Sequence, residues 1–185
     1  MTEDEVRREP PAVETASEAG SIPPAPSEMT GALARLFELH ADELVRALLA
    51  AGYPDASDAV QEAFVQAVVH WRRVRSYDEP LVWIRRVAIN KARNRARSRR
   101  RQAALRDRLG QRSPRVDGPR EPPDDDVVAA VAALPSQQRL AVALFYYGDL
   151  PVAQVAAVMG IHEGTVKSHL HAARAAVANT LKVAP

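Results

Sequence analysis

The chain has 185 residues, 46% hydrophobic but only 5% aromatic, and its 25 basic against 23 acidic side chains leave a net charge of +2. That length holds one domain or two small ones, and abundant Leu, Val and Ala with few aromatics favours helices over sheet. The lack of cysteine excludes disulfides, thiolate metal sites and cysteine nucleophiles, and fits a reducing cytoplasm.

Residues 1–28 are rich in Pro, Glu, Ala and Ser, and the first thirty residues carry seven acids against Arg7 and Arg8. With hardly a large apolar residue, this stretch cannot bury enough surface to offset its chain entropy, so a disordered acidic tail is expected. It has no basic-then-apolar leader pattern, and the longest apolar run, Val127 to Leu134, is far below the roughly 20 residues that span a bilayer. A cytoplasmic protein without membrane insertion is therefore expected.

From Met29 the pattern changes. Leu33, Leu36, Phe37, His40, Leu44 and Leu48 form the apolar side of a long amphipathic helix that ends near Gly52 and Pro54, with His40 at the core or its boundary. A second helix, from about Asp55 to Trp71, lines up Ala56, Ala59, Val60, Ala63, Phe64, Ala67, Val68 and Trp71 on one face. Its other face carries Asp58, Gln61, Glu62, Val65 and Val69. That mixed acidic and apolar stripe suits a partner helix, and it also suits ordinary scattered surface valines; both readings stand.

Arg72 to Glu79 reads as a basic loop holding Tyr77, and Pro80 opens a helix running to about Arg101. Between Arg72 and Arg115 there are sixteen Arg or Lys against three acids, Asp78, Glu79 and Asp107. Charge of that density points to a polyanion. Leu81, Ile84, Val87 and Ala88 form the inward stripe of this helix, while Arg86, Asn90, Arg93, Arg97 and Arg101 recur on another face. Arginine forks suit phosphates, Asn90 and Asn94 suit base edges, and Arg73, Arg75 and Tyr77 lie in the adjoining loop. Trp83 reads equally well as a core aromatic or as a stacking platform.

Residues 109–125 are rich in Pro, Gly and charge without periodicity, the pattern of a flexible linker. Asp124, Asp125 and Asp126 read as acids at a helix start, favoured there by the helix dipole, rather than as a metal site. That helix carries Val127, Val128, Val131 and Leu134. The next, Ser136 to Tyr147, turns Leu140, Leu144 and Tyr147 inward.

Pro151 to Val177 then read as two helices joined by a glycine turn. Val152, Val155, Ala156 and Met159 give the first a buried stripe; Val166, Leu170, Ala173 and Val177 do so for the second. Gly160 supplies the left-handed residue and Ile161 the plug between the helices. Thr165, Lys167, Ser168, His171 and Arg174 face outward, and Glu163 and Gly164 place free backbone donors at the helix start. Such a face suits phosphates and base edges in a major groove. The fold class expected is all-α: two small helical domains, residues 29–108 and 126–185, joined by a flexible linker, the C-terminal one a helix-turn-helix.

The runs Asp58 to Phe64, Trp83 to Asn90, Leu134 to Arg139 and Gly164 to Leu170, in that order, resemble bacterial RNA polymerase sigma factors, most closely the extracytoplasmic-function type. The resemblance spans about Met29 to Val183. It implies a monomer that binds core RNA polymerase through its beta-prime and beta subunits and directs it to promoter DNA, with an anti-sigma factor as a further partner. It implies that Asp58, Gln61, Glu62 and Val65 dock the beta-prime coiled coil. It assigns the minus-ten element to Arg73, Arg75, Tyr77, Trp83, Arg86, Asn90, Arg93, Asn94 and Arg97, and the minus-thirty-five element to Glu163, Gly164, Thr165, Lys167, Ser168, His171 and Arg174. Melting then needs no hydrolysis, because captured unstacked bases, each worth about 1 to 3 kcal/mol on an aromatic, offset unpairing. No enzyme activity, cofactor or metal is implied. Pro151 and His162 stand where hydroxyl caps are common in the family, and Ala172 where an arginine is common.

Two other classes share some of these features. An autonomous helix-turn-helix regulator would use the C-terminal half in the same way but needs a dimer interface or ligand pocket. A small nuclease needs convergent carboxylates beside the basic face, where only the adjacent Asp78 and Glu79 stand.

Overall fold

The computed structural model of the protein describes residues 26–108 and 126–183. The expected tail, up to Ala25, and the linker at residues 109–125 lie outside the described residues. Among the described residues every regular element is a helix. They are α1 (Pro26–Ala50), α2 (Ala56–Val69), α3 (Trp71–Val74), α4 (Pro80–Arg108), α5 (Asp126–Ala133), α6 (Ser136–Tyr146), α7 (Val152–Met159) and α8 (Glu163–Val183). The first begins inside the stretch read as tail.

In the N-terminal half, α1 and α4 both pack on α2. Ala56, Ala59, Ala63 and Ala67 are wholly buried along α2, and such small side chains let neighbouring helix axes approach closely. α1 ends in a tight turn at Gly52, whose φ of +85° a Cβ would strain. There the Gly52 amide donates to the Leu49 carbonyl and the Tyr53 amide to the Leu48 carbonyl, satisfying carbonyls that the helix end leaves free.

Three sequence expectations change here. Val68, read as core, is 49% exposed. The loop expected from Arg72 begins instead with α3, because the chain breaks for a single residue at His70 and resumes, burying Trp71 and Val74. α4 runs to Arg108, seven residues past the expected end, since residues 102–108 are mostly good helix formers. Its buried stripe is Ile84, Arg85, Ala88, Ile89 and Ala92, with Leu81 and Val87 only half-buried.

In the C-terminal half α6 is the central rod. Leu140, Ala141, Val142, Ala143 and Leu144 are all buried, so every side of the rod is covered there: α8, α7 and, from the other half, α1 pack on it. Tyr147, expected inward, lies just past the helix and is 49% exposed. α7 ends at Gly160, φ +70°, where the Ile161 amide reaches back to the Ala156 carbonyl and Ile161 packs half-buried on the core. This is the same device as at Gly52, and it sets α8 across α7.

The two halves share one hydrophobic core, from Leu33 in α1 to Ala173 in α8. A polar seam accompanies it. Arg139 of α6 donates to the Ala51 carbonyl at the end of α1 (2.8 Å) and to the Ala132 carbonyl (2.6 Å). Arg93 donates to Gln137 (2.9 Å). Arg85, only 5% exposed, lies between α1, α4 and α7 with Glu43 and Gln154 each 3.4 Å away. Burial pushes its pKa down and Glu43 and Glu79 pull it up, in that order of strength. A buried guanidinium with only long contacts is a costly group, so the seam is held chiefly by its apolar area.

Candidate nucleic-acid and protein interfaces

The outward face of α8 is laid out as its spacing predicts. Val166, Leu170 and Ala173 are buried, and Glu163, Gly164, Thr165, Lys167, Ser168, His171 and Arg174 are all exposed. The Thr165 and Val166 amides donate to the His162 carbonyl, which starts the helix. Two members of the set are occupied locally. The Ser168 hydroxyl donates to the Gly164 carbonyl one turn back (2.9 Å), and Arg174 Nε donates to the Tyr146 hydroxyl (2.9 Å) with the guanidinium 5.9 Å from that ring's centre. Tyr146 thus holds Arg174 in a fixed direction, a contact that sequence spacing does not reveal.

On α4, Arg86, Asn90, Asn94 and Arg97 are exposed, with Arg93 half-buried. Two of these cations meet the C-terminal half. Arg93 bonds Gln137, and a Cβ placed at Gly160 would lie 2.7 Å from Arg86 Nη2. The absent side chain at Gly160 therefore makes room for Arg86 as well as for the turn. Near the start of α4, Arg73 lies in α3 rather than in a loop, and its carbonyl accepts a bond from the Ser76 hydroxyl (2.8 Å). Arg75 is exposed and Tyr77 half-buried. Trp83 is half-buried against the core, which leaves one part of the ring accessible and serves both readings of it.

On α2 the mixed stripe is exposed: Val65 at 63% and Val69 at 71%, with Asp58 and Gln61 beside them. The carboxylates are not free. Arg95 Nη1 donates to Asp58 Oδ2 (2.8 Å), Arg95 Nη2 donates to Glu62 Oε1, Lys91 Nζ lies 3.3 Å from Glu62 Oε2, and Arg99 pairs with Asp55. The hydrogen bond from Arg95 holds the Glu62 carboxyl below the usual glutamate range, against the raising effect of its partial burial. Sequence reasoning missed Lys91, Arg95 and Arg99, although their spacing of four places them on one face of α4.

A helical platform with a basic stripe, joined to a helix-turn-helix whose second helix presents donors and cations to solvent, defines a DNA-binding protein of the all-helical class. Its particular family follows from its relatives. Residues 36–102 match Sigma-70 region 2, and residues 124–177 match Sigma-70, region 4. The ECF RNA polymerase sigma factor SigL of Mycobacterium tuberculosis is 33% identical over 159 residues, covering 80% of this chain and 87% of SigL. The uncharacterized protein R00370 of Rhizobium meliloti is 29% identical over 137 residues, and this chain spans only 32% of its length.

Among solved structures, the sigma factor RpoE in complex with the anti-sigma factor NepR, from Bartonella quintana, has a TM-score of 0.61 at 22% identity, covering 83% of this chain and 99% of RpoE. CnrH in complex with the cytosolic domain of CnrY has a TM-score of 0.58 at 23% identity, covering 86% and 96%. At that identity the likeness establishes the fold. The chain belongs to the extracytoplasmic-function RNA polymerase sigma factors: it is a polymerase-dependent initiation factor, not an autonomous regulator. None of its described helices is long and apolar enough to cross a membrane.

Proposed function

We propose that the chain divides its work between three faces. The α2 stripe of Asp58, Gln61, Glu62 and Val65 docks the beta-prime coiled coil of core polymerase. The α3–α4 face, with Arg73, Arg75, Tyr77, Trp83, Arg86, Asn90, Arg93, Asn94 and Arg97, takes the minus-ten element and its unstacked bases. The α8 face of Glu163, Gly164, Thr165, Lys167, Ser168, His171 and Arg174 reads the minus-thirty-five element in the major groove. The observation that carries this reading is the exposure of both the α2 stripe and the outward face of α8, on opposite halves of one core.

The seam adds a requirement. Arg86 abuts Gly160 and Arg93 is bonded to Gln137, so those two cations give up contacts with the C-terminal half when they meet phosphate. The cytoplasm is the proposed location, and an anti-sigma protein is the proposed further partner, by analogy with RpoE bound to NepR.

Paired variants test the assignment. Lys167→Ala with His171→Ala is expected to reduce promoter use while core polymerase still binds, and Asp58→Arg with Gln61→Ala to abolish polymerase binding. Equal losses from both pairs, in a pull-down and in transcription, would show the faces to be misassigned.

A further inference from the structure

The cations of α4 are not one population. Arg86, Arg93 and Arg97 lie on one stripe with Asn90, while Lys91, Arg95 and Arg99, four apart, meet Glu62 and Asp58 of α2 and Asp55 just before it. Higher numbers on α4 pair with lower numbers on α2, so the two helices run antiparallel and the pairs form the rungs of a ladder. A groove of about 360 Å³ between the helices is lined by Asp58, Gln61, Glu62, Val65, Lys91 and Arg95, among others.

Both oxygens of Glu62 are engaged by α4: Oε1 by Arg95 and Oε2 by Lys91. Asp58 uses only Oδ2 towards Arg95, and its side chain is 63% exposed. Two carboxylates and two cations leave the groove electrically neutral. A segment that docks here therefore meets fixed, paired charges rather than an acidic patch, with Asp58, Gln61 and Val65 as the accessible groups.

Resting on the polymerase-docking reading of α2, we infer that Lys91 and Arg95 are positioning residues of the polymerase face rather than DNA contacts, held in place by Glu62 of that face. Arg95 fixes the Asp58 carboxylate in the direction it presents to polymerase. Since Asp58 and Val65 lie two turns apart on α2, with Gln61 between them, this sets the geometry of the whole contact row.

The test is a double-variant cycle in the full chain, read as affinity for core RNA polymerase with the melting temperature of each variant alongside. Arg95→Glu, which sets like charge against Asp58 and Glu62, is expected to weaken polymerase binding about fivefold or more, and Asp58→Ala and Arg95→Ala each to weaken it measurably. Adding Arg95→Ala to Asp58→Ala is expected to change the affinity by less than about twofold, because no carboxylate is left at that position for Arg95 to orient. Arg95→Lys, which keeps one arm of the rung, is expected to lose less than Arg95→Glu.

Losses that add in the Asp58→Ala, Arg95→Ala double variant would mean that Arg95 does not act through Asp58, and would overturn the positioning role. Unchanged polymerase affinity in Arg95→Glu with a loss confined to promoter opening would return Arg95 to the DNA face. Were the wild type itself not to bind core polymerase, the docking reading of α2 would fail, an outcome distinct from either.

Discussion

Gly160 and Glu62 show how much one residue decides here. Gly160 sits at φ +70° with Arg86 Nη2 2.7 Å from where a Cβ would sit. Gly160→Ala meets both the left-handed strain and that contact, and is expected to cost about 1 kcal/mol or more of stability in urea unfolding. An unchanged midpoint would show that the turn is not under this constraint. The role of Gly160 was legible in sequence, because a helix stop of this kind is local. That of Glu62 was not, because its partner Arg95 is 33 residues away.

The sign of the pH effect of Glu62 follows from its lowered pKa. Its contribution to stability is complete above the ordinary glutamate value and is lost as pH falls through the depressed one. Between the wild type and Glu62→Gln, the stability difference should therefore shrink on acidification below the usual glutamate range. A difference that stays constant to low pH would contradict the Arg95 bond.

Among the elements, α8 and α4 differ in how far their sequences announce them. Helical periodicity separates the buried Val166, Leu170 and Ala173 from the exposed Lys167 and His171 without ambiguity, since each side of α8 has one environment. α4 has four: the core, the α2 ladder, the seam with α7 and the exposed stripe of Asn90, Asn94 and Arg97. The run of like charge, sixteen cations from Arg72 to Arg115, hides that division, and only packing sorts Arg85, Arg86 and Arg95 into different surroundings. One signal was available, because Arg85 falls in line with Ala88, Ile89 and Ala92, a cation within an apolar stripe.

The central rod α6 offers a direct check on the scaffold beneath the helix-turn-helix. Leu140 is fully buried, so Leu140→Ala is expected to cost about 2 to 4 kcal/mol in chemical unfolding, with the loss of contacts adding to the cavity left behind. A loss below about 1 kcal/mol would mean that the rod can collapse around the gap, against the close covering on all its sides.

At the scale of the whole molecule, composition and periodicity gave two helical halves but not their union. Each half reads as able to bury its own stripe, and contacts such as Arg139 to Ala51, 88 residues apart, leave no periodic trace. Arg139→Ala removes the donor to the Ala51 and Ala132 carbonyls and is expected to cost about 1 to 2 kcal/mol, while increasing the radius of gyration in small-angle scattering as the halves part more often. A variant as stable and as compact as the wild type would show that the seam rests on its apolar contacts alone.

The most direct test of the account is transcription in vitro from genomic DNA fragments by bacterial core RNA polymerase, with and without this protein, mapping every RNA start. Discrete new starts that share two upstream elements, lost with Lys167→Ala and His171→Ala together, are the predicted result. No new starts and no stable complex with core polymerase would contradict it.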